Sequence, residues 1–568
     1  MAASDLTWAL PSELESKVRA RLAQMRDQDV VRRIWAADPS VWTGTDEDRW
    51  LGWLHLPVDE RPALDRAVRL GGELKREQVS DVVLLGMGGS SLAPEVIQSI
   101  IGPHEGYPAL HVLDSTDPGQ ILAVERRINF SRTLFLVASK SGNTLEVNIL
   151  KQYFLSRAVQ KFGDTAAGRH FVLTSDPGSK LQHVAEEEHF REIFGGNPSV
   201  GGRYSALSNF GIVPAAAIGA DVALLLERAE AMARRSAVDD GKNSALQLGV
   251  ILGVLAEEGR DKPTLVAPPE LAGFGAWMEQ LIAESLGKHG KGIIPINGET
   301  PGPPEVYGSD RVFIHLRSAG APDTPIDVQA NRLERAGQPV VRIEWADRYA
   351  LGAEFYRWEF ATAVMGAVLG VNPFDQPDVE ESKIVTRRLA AEFEKTGKLP
   401  EDAPLLEQQG LSLFTDSKGR QALGDQTSVA SCLKAFLGQL HRGDYFALLA
   451  FIEMNEEHER ALETIRELVR DRARVATSVG FGPRFLHSTG QAHKGGPNSG
   501  VFLQITADTA HDLSVPGQRY SFGTIELAQA RGDFEVLAAR GRRLLRVHLK
   551  DATRGLRTLH AAVRDALG

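Results

Sequence analysis

Two turns rich in glycine and hydroxyl residues follow apolar runs of the length expected for buried strands. The first, GMGGSSLAP at 86–94, ends the run DVVLL and opens a helix-length segment. Such a turn exposes backbone N–H groups beside the positive end of a helix, which favours an anion. It departs from the dinucleotide fingerprint GxGxxG, because Ser91 stands where the last glycine is required. Asp114 ends the next apolar run, as a ribose-binding acid would, so an NAD site and a purely structural turn stay open as alternatives.

The second turn, SKSGNTLE at 139–146, follows the third apolar run and precedes a long helical pattern. Ser139, Ser141, Asn143 and Thr144 place four small polar side chains at this helix start, where they could surround a phosphate. An N-cap is the competing interpretation, but one hydroxyl is enough to cap a helix. Both turns follow strands of one predicted parallel sheet, and open α/β sheets bind ligands at that carboxyl edge.

Two further segments could supply a fixed cation and a base. In GGRYSALS at 201–208, two glycines allow a close approach and Arg203 would present a guanidinium there. Glu284 lies near the end of the helical segment 277–286, where the helix dipole disfavours an anion, which suits a group that must take up a proton. Gln280 lies four residues earlier, on the same helix face. A surface arginine and a solvated glutamate are the plainer interpretations.

Lysine and histidine occur in two later segments. In VNPFDQPDVEESK at 371–383, Lys383 follows a helical turn dense in acids, and an exposed ion pair with Glu380 or Glu381 is the plain alternative. The glycine-rich loop at 482–501 contains His487 and His493, which are candidates for acid–base chemistry or for a structural role. A zinc site is not indicated, because the loop has neither a partnered cysteine nor an HExxH pattern.

The elements that must position these residues divide the 568-residue chain into four parts. Residues 1–75 predict an amphipathic helical arm, and 76–250 predict strands alternating with helices, which is typical of a parallel sheet covered on both faces. A second α/β unit is predicted at 251–398, and a further α/β region at 399–568. We therefore predict an α/β fold with two doubly wound parallel-sheet domains, an N-terminal helical arm and an extra C-terminal α/β region.

Composition excludes several classes of function. The formal net charge of -10 argues against a general affinity for nucleic acid or anionic membranes. Apolar runs are too short for a membrane span, and the first residues show no signal peptide. The lone Cys432 allows no internal disulfide, which fits a reducing compartment, so a cytoplasmic location is expected. No metal or redox cofactor is predicted.

Taken together, the motifs resemble those of the phosphoglucose isomerase family, which is built from sugar-isomerase (SIS) domains. GMGGSSLAP, SKSGNTLE, GGRYS, AESLGK and VNPFDQPDVEESK are similar to five family motifs and occur in the family's order between residues 86 and 383. The chain also resembles the isomerase part of bifunctional transaldolase/phosphoglucose isomerases, because both carry a long C-terminal region. The resemblance implies interconversion of glucose 6-phosphate and fructose 6-phosphate in glycolysis and gluconeogenesis.

The resemblance also implies roles for residues that match the motifs. Glu284 would move a proton between C2 and C1, Arg203 would stabilise the cis-enediolate, and Lys383 would assist ring opening. The remaining matches would bind substrate: Ser139, Lys140, Ser141 and Thr144 at the phosphate, and Gly88, Gly89, Ser90 and Gln280 along the sugar.

One departure from the family concerns its ring-opening histidine, which should lie between the glutamate and lysine motifs. Asp310 stands near the expected place, and His315 lies inside an apolar strand pattern that indicates core. GQAHKGG, with His493, occurs after the lysine motif instead. We therefore predict that His493 supplies the missing imidazole. In the family that histidine comes from a neighbouring subunit.

Several alternatives stay open at this point. An isomerase that also accepts mannose 6-phosphate, another SIS sugar-phosphate enzyme, a non-catalytic sugar-phosphate sensor and an NAD-dependent oxidoreductase would share some of these features. The joint presence of Glu284 and Lys383 favours an enzyme over a sensor. A homodimer and a transaldolase partner are the associations that the resemblance implies.

Overall fold

The computed structural model describes residues 6–321, 324–400 and 402–568. These residues form three sheets with helices on both faces, so the predicted α/β class with parallel sheets is confirmed. The apolar runs that alternate with helical segments in the sequence agree with this arrangement, because strands buried on both faces read as continuous apolar runs.

The N-terminal segment is mostly helical, as predicted, but it begins with a strand that its sequence did not indicate. This strand forms an edge of the second sheet, described below, where it pairs antiparallel with residues 340–343. The elements are β1 (Leu6–Ala9), α1 (Ser12–Asp27), α2 (Val30–Trp35), α3 (Leu56–Asp59) and α4 (Arg61–Arg76).

The first sheet is entirely parallel, with strand order β3-β2-β4-β5-β6. All residues of its three interior strands, β2, β4 and β5, are buried. The elements of this part are β2 (Asp81–Gly86), α5 (Leu92–Ile101), β3 (Ala109–Leu113), α6 (Pro118–Arg127), β4 (Thr133–Ala138), α7 (Leu145–Phe162), α8 (Asp164–Ala167), β5 (Phe171–Ser175), α9 (Lys180–Glu187), β6 (Glu192–Gly195), α10 (Asn209–Ala217), α11 (Val222–Ser236) and α12 (Ser244–Glu257).

The second sheet has the order β1-β9-β8-β7, with β7, β8 and β9 parallel. Its core joins that of the first sheet through α16, a 20-residue helix that is buried along almost its whole length. The elements are β7 (Lys262–Val266), α13 (Pro269–Ala272), α14 (Phe274–Leu286), β8 (Arg311–Ser318), α15 (Pro325–Arg335), β9 (Val340–Trp345), α16 (Ala350–Leu369) and α17 (Val379–Thr396).

The third sheet has the order β10-β11-β15-β14-β12-β13, and its four strands from β15 to β13 are parallel. Strand β13 was not predicted; the chain leaves α20 at Arg474, whose φ of 56° ends the helix. The elements are β10 (Leu406–Gln408), β11 (Leu411–Phe414), α18 (Ser417–Leu423), α19 (Val429–Leu437), β12 (Tyr445–Phe451), α20 (Glu456–Ala473), β13 (Ala476–Phe481), α21 (Gly490–Gly495), β14 (Gly500–Ala507), α22 (Phe522–Ala539), β15 (Arg543–Leu549) and α23 (Ala552–Leu567).

No helix in the described part of the chain combines the length and apolar character that a membrane crossing requires. The third sheet packs its own apolar core on one face. Its other face packs against the second unit through a separate cluster that includes Phe451, Phe485 and Ala283, and α22 packs against the first unit through Phe522 and Ile525. The loop between β13 and β14 lies at the junction of all three units, because its Phe485 packs in the cluster with Ala283 and its Arg484 pairs with Glu95 of the first unit.

Candidate active site

A cavity of about 560 Å³ opens at the carboxyl edge of the first sheet, between α14 and the loop that precedes α21. Most of the residues that the sequence motifs single out line it together, although the motifs are far apart in the chain. They are Gly88, Gly89, Ser90, Ser139, Lys140, Ser141, Thr144, Arg203, Gln280 and Glu284.

Two glycine turns form the floor of this cavity and pack directly on each other. A Cβ atom on Gly89 would lie 1.9 Å from the carbonyl oxygen of Gly202, so only glycine permits this backbone approach. Gly88 has a φ of +54°, and a Cβ there would lie 2.8 Å from Gln280 Nε2. The glycines therefore bring the turn carrying Arg203 and the helix carrying Gln280 against the end of β2.

Arg203 is held rigidly at one wall of the cavity. Its side chain is buried, and its Nε donates to Ser285 Oγ at 2.6 Å. Nη1 donates to Gln376 Oε1 at 2.8 Å, and Nη2 donates to the carbonyl oxygens of Pro373 and Asp375. These acceptors are neutral, and the carboxylate that faces the guanidinium is that of Glu284, whose Oε1 lies 3.5 Å from Nη1. A buried guanidinium fixed in this way can stabilise an oxyanion that forms in front of it.

Glu284 projects from the last turn of α14 into the cavity, beside Gln280 of the same helix. Gln280 Nε2 donates to Glu284 Oε2 at 3.1 Å and to the carbonyl oxygen of His487 at 2.8 Å. Gln280 Oε1 is buried and has no hydrogen-bond donor among the described residues. Buried acceptors are nearly always paired in proteins, so this oxygen is placed to accept from a hydroxyl of a bound molecule.

The loop 139–144 offers hydroxyl and backbone groups at the opposite end of the cavity. Thr144 precedes α7, but its side chain makes no capping bond to the helix and accepts instead from Ser139 Oγ at 3.2 Å. The plain N-cap interpretation is therefore wrong for Thr144. Lys140 Nζ is paired with the Asp176 carboxylate and with the carbonyl oxygen of Asn197, so its ammonium group is already engaged. The open helix start and the hydroxyls suit a phosphate.

Lys383 lies beside this cavity rather than in it. It lines a second cavity of about 630 Å³ that shares Ser141, Thr144 and His487 with the first. Its side chain is 47% exposed, and its Nζ lies 3.5 Å from Glu380 Oε2, which is the ion pair that the sequence left as the plain alternative. To take part in chemistry at the Glu284 cavity, this long and exposed side chain would have to leave Glu380 and change rotamer.

The imidazole at the cavity belongs to His487 and not to His493, which corrects the sequence prediction. His487 lines both cavities, and its Nε2 lies 3.1 Å from Glu146 Oε1. His493 is buried on α21, bonded through Nδ1 to the Tyr445 hydroxyl at 3.0 Å and packed against Phe502. Burial, together with the nearby Lys494 and Arg542 charges, lowers the pKa of His493 well below its usual value. His493 is thus a neutral core residue.

A substitution of His493 should therefore change stability and leave catalysis intact. His493→Phe would fill the site but leave the buried Tyr445 hydroxyl without its partner, at a cost of about 1–3 kcal/mol. We expect a lower urea midpoint and an unchanged turnover number for the folded protein. His493→Asn, which keeps a polar atom near the Nδ1 position, should lose less stability. A turnover number that falls while the midpoint stays constant would contradict this assignment.

Asp310 and His315, which lie in the segment where the family has its ring-opening histidine, are both away from the cavity. Asp310 is buried, with its Oδ2 3.4 Å from Lys262 Nζ. His315 is buried within β8, as its apolar surroundings predicted, and burial lowers the pKa of its imidazole to about 4. Neither lines the cavity that contains Glu284.

Asp114, the acid that a dinucleotide site would need, is committed to other partners. Its Oδ2 accepts from Ser91 Oγ at 2.9 Å and lies 2.9 Å from Nε of Arg484. Arg484 also pairs with the Glu95 carboxylate. This charged cluster ties the loop that carries His487, three residues further on, to the first unit. Ser91 thus contributes to docking the third unit, where the dinucleotide fingerprint would have had glycine.

Sequence reasoning missed the contribution of the N-terminal arm to the site. Asp46 and Trp50 line the cavity, and Asp46 accepts from Trp50 Nε1 at 3.2 Å and from Asn372 Nδ2 at 3.0 Å. Nothing in the local sequence marks these two residues, because their role comes from packing against a motif more than 300 residues away. Among the described residues, no group of three or more His, Cys, Asp or Glu side chains could hold a metal ion.

Known proteins share this arrangement of motifs. Residues 65–295 match the family model described as phosphoglucose isomerase. A glucose-6-phosphate isomerase from Rubrobacter xylanophilus is 30% identical over 382 residues, which cover 59% of this chain and 88% of the relative. The chain belongs to the phosphoglucose isomerase family. Another relative, the glucose-6-phosphate isomerase of Methanocaldococcus jannaschii, is 29% identical. The alignment covers 60% of this chain and 89% of that relative.

Solved structures agree with this membership at the level of the fold. A hypothetical protein from Thermus thermophilus is 25% identical with a TM-score of 0.58, covering 68% of this chain and 99% of that protein. A glucose-6-phosphate isomerase from Chlamydia trachomatis superposes with a TM-score of 0.55 at 19% identity, over 68% of this chain and 87% of its own. Both solved structures leave about a third of the present chain unmatched, since each covers 68% of it.

Proposed function

We propose that this chain interconverts glucose 6-phosphate and fructose 6-phosphate, a step of glycolysis and gluconeogenesis, through a cis-enediolate intermediate. The observation that carries the proposal is the position of the Glu284 carboxylate, which faces the cavity beside the buried guanidinium of Arg203, 3.5 Å away. Family membership supports the same reaction, since the relatives it matches are named glucose-6-phosphate isomerases.

In this mechanism the phosphate binds at the loop 139–144 and the sugar chain extends towards α14. Glu284 takes the proton from C1 of the open-chain ketose and returns it to C2, or the reverse for the aldose, while the O1 hydroxyl proton of the enediolate passes to O2 so that the carbonyl and hydroxyl groups exchange positions. The electron pair released at the carbon moves onto the carbonyl oxygen, where the Arg203 guanidinium stabilises the enediolate. Gln280 accepts from a sugar hydroxyl through its free Oε1. The remote phosphate supplies binding energy that orients C1 and C2.

Ring opening must come first, because both sugars are mainly cyclic. We assign it to His487, which replaces the predicted His493, with Lys383 in support. With Nε2 directed at the Glu146 carboxylate, His487 has Nδ1 left to take the proton of the anomeric hydroxyl. The ring C–O bond then breaks, and the ring oxygen receives a proton from Lys383 or from water. His487 lines both cavities, and Lys383 lines the second of them.

A coupled assay tests the reaction itself. Purified protein with fructose 6-phosphate, glucose-6-phosphate dehydrogenase and NADP⁺ should form NADPH at a rate proportional to the amount of this chain. The dehydrogenase alone, without the chain, is the control. Parallel NMR spectra would show whether mannose 6-phosphate also forms, which decides the stereochemistry at C2. Folded protein that converts neither hexose phosphate would contradict the proposal and favour a sugar-phosphate sensor.

Assembly and location stay predictions. A homodimer, a transaldolase partner and a cytoplasmic location follow from the resemblance and composition alone. The site gathers its proposed base, cation, phosphate loop and imidazole from a single chain, so the proposed reaction does not require any of these associations.

A further inference from the structure

A buried chain of hydrogen bonds runs from the first sheet through the third unit to the imidazole at the cavity. The Thr116 hydroxyl donates to Gln529 Oε1 at 2.7 Å, and Gln529 Nε2 donates to Glu146 Oε1 at 2.7 Å. The same carboxylate oxygen lies 3.1 Å from His487 Nε2. All three supporting side chains are more than nine-tenths buried, with Thr116 fully enclosed.

The direction of this chain is fixed by chemistry. A threonine hydroxyl in contact with the Gln529 amide oxygen leaves the amide NH₂ facing Glu146, and the reverse orientation would place an oxygen against a carboxylate. Gln529 therefore presents a donor permanently to Glu146. Thr116 comes from the loop after β3 and Gln529 from the middle of α22, so the contact also joins two separate parts of the chain.

The carboxylate that receives this donor is in an environment that would otherwise disfavour its charge. Burial alone would raise the pKa of Glu146. The net pKa is lowered, because the charge of His487, its hydrogen bond and the charge of Lys383 outweigh burial. Lys151 and Lys494 line the 630 Å³ cavity next to Glu146, but each is paired with another carboxylate, Glu188 and Asp533 respectively. Gln529 adds a second hydrogen bond to the same oxygen, which restricts rotation of the carboxylate as well as favouring its anion.

We propose that Gln529, oriented by Thr116, is a positioning residue for ring opening: it fixes Glu146, which in turn fixes the ring plane and tautomer of His487. This inference rests on the proposed isomerase function and adds a role for α22 that the family motifs do not include. Gln529 touches no reacting atom itself. Its effect must therefore appear only in the step that uses His487 and not in the proton transfer by Glu284.

A pair of substrates separates these two steps. Fructose 6-phosphate must be opened, whereas 5-deoxyfructose 6-phosphate has no C5 hydroxyl, and its C6 oxygen carries the phosphate, so it cannot close a ring. Exchange of a C1 hydrogen of this analogue with D₂O, followed by NMR, reports proton transfer by Glu284 without ring opening. The ratio of the two rates is insensitive to a general loss of folded protein.

The experiment compares Gln529→Met, Thr116→Val and Thr116→Ser with the unaltered chain. Gln529→Met should lower kcat with fructose 6-phosphate by about tenfold, the scale of one hydrogen bond to a charged group, and leave C1 exchange of the analogue within about twofold. Thr116→Val, which loses the hydroxyl at constant volume, should show the same pattern more weakly. Thr116→Ser keeps the hydroxyl and should retain both rates.

Each outcome is decisive. Rates that fall equally with both substrates would mean that Gln529 is only structural and would overturn the inference, as would unchanged rates in Gln529→Met. If Gln529→Met does not fold, the matched Thr116 variants decide: equal behaviour of the valine and serine forms would overturn it. Failure of the unaltered chain to act on either substrate would instead reject the proposed function, so the two failures are distinguishable.

Discussion

Glu284→Gln should lower kcat for fructose 6-phosphate by about 10²–10⁴-fold, the range typical of a lost general base. The amide oxygen of glutamine can still accept from Gln280 Nε2, so the side chain keeps its position while losing the ability to take up a proton. The KM should change little, because the phosphate loop lies at the other end of the cavity. The same variant should also abolish C1 hydrogen exchange of 5-deoxyfructose 6-phosphate, since that exchange needs only the base.

The matched control for this substitution is Glu279→Gln, five residues before Glu284 on α14. Burial raises the pKa of Glu279 to about 8, against the opposing charges of Arg466 and Arg484, and the residue does not line the Glu284 cavity. Its carboxyl group is therefore largely protonated at neutral pH, and an amide should replace it with little effect on rate. Full activity in Glu284→Gln would remove this glutamate as the base, and equal losses in both variants would point to a disturbed helix.

Much of the site could be predicted from sequence because its parts lie in short contiguous motifs at fixed places in the fold. The turn 86–94 and the loop 139–146 each follow a buried parallel strand, so the sheet alone brings them to one edge. Glu284 and Gln280 share a helix face, and helical spacing alone makes them neighbours. The prediction for Arg203 rested on Gly201 and Gly202, but a Cβ atom on either would meet nothing closer than 3.9 Å; the close approach is at Gly89, where a Cβ atom would lie 1.9 Å from the Gly202 carbonyl oxygen.

The choice between His487 and His493 could not be made from sequence, because both lie in one glycine-rich loop. Their roles depend on where the loop docks. Arg484 binds Glu95 of α5 and Asp114 at the end of β3, which brings His487 to the cavity. Six residues after His487, the short helix α21 turns His493 towards the third sheet. The contacts that decide this come from segments distant in the chain, and no local pattern encodes them.

The N-terminal arm illustrates a different limit. Its helices were predicted from amphipathic periodicity, but Leu6–Ala9 pairs with β9 and was not predicted as a strand, since a four-residue edge strand carries almost no pattern. Asp46 is held at the cavity by Asn372, a residue of the lysine motif, and Trp50 donates to Asp46. Tertiary packing alone therefore assigns these arm residues to the wall of the site.

The second large effect is expected at His487, and it should be specific to cyclic substrate. His487→Gln should lower kcat for fructose 6-phosphate by about 10²-fold, at the lower end of general acid–base contributions, because some substrate opens unaided in solution. Glutamine can still donate to the Glu146 carboxylate, so the buried anion keeps a partner and the fold should be retained. C1 hydrogen exchange of 5-deoxyfructose 6-phosphate should stay within about twofold of the unaltered chain.

This pattern differs from that expected for Glu284→Gln, which should lose both reactions, so the two variants together separate ring opening from proton transfer. His493→Phe serves as the matched histidine control and should retain both rates, because His493 bonds Tyr445 in the core and does not line the cavity. Loss of analogue exchange in His487→Gln would place its imidazole in the enediolate step. A normal rate with fructose 6-phosphate would instead leave ring opening to Lys383 or to water, and the third unit would then only enclose the site.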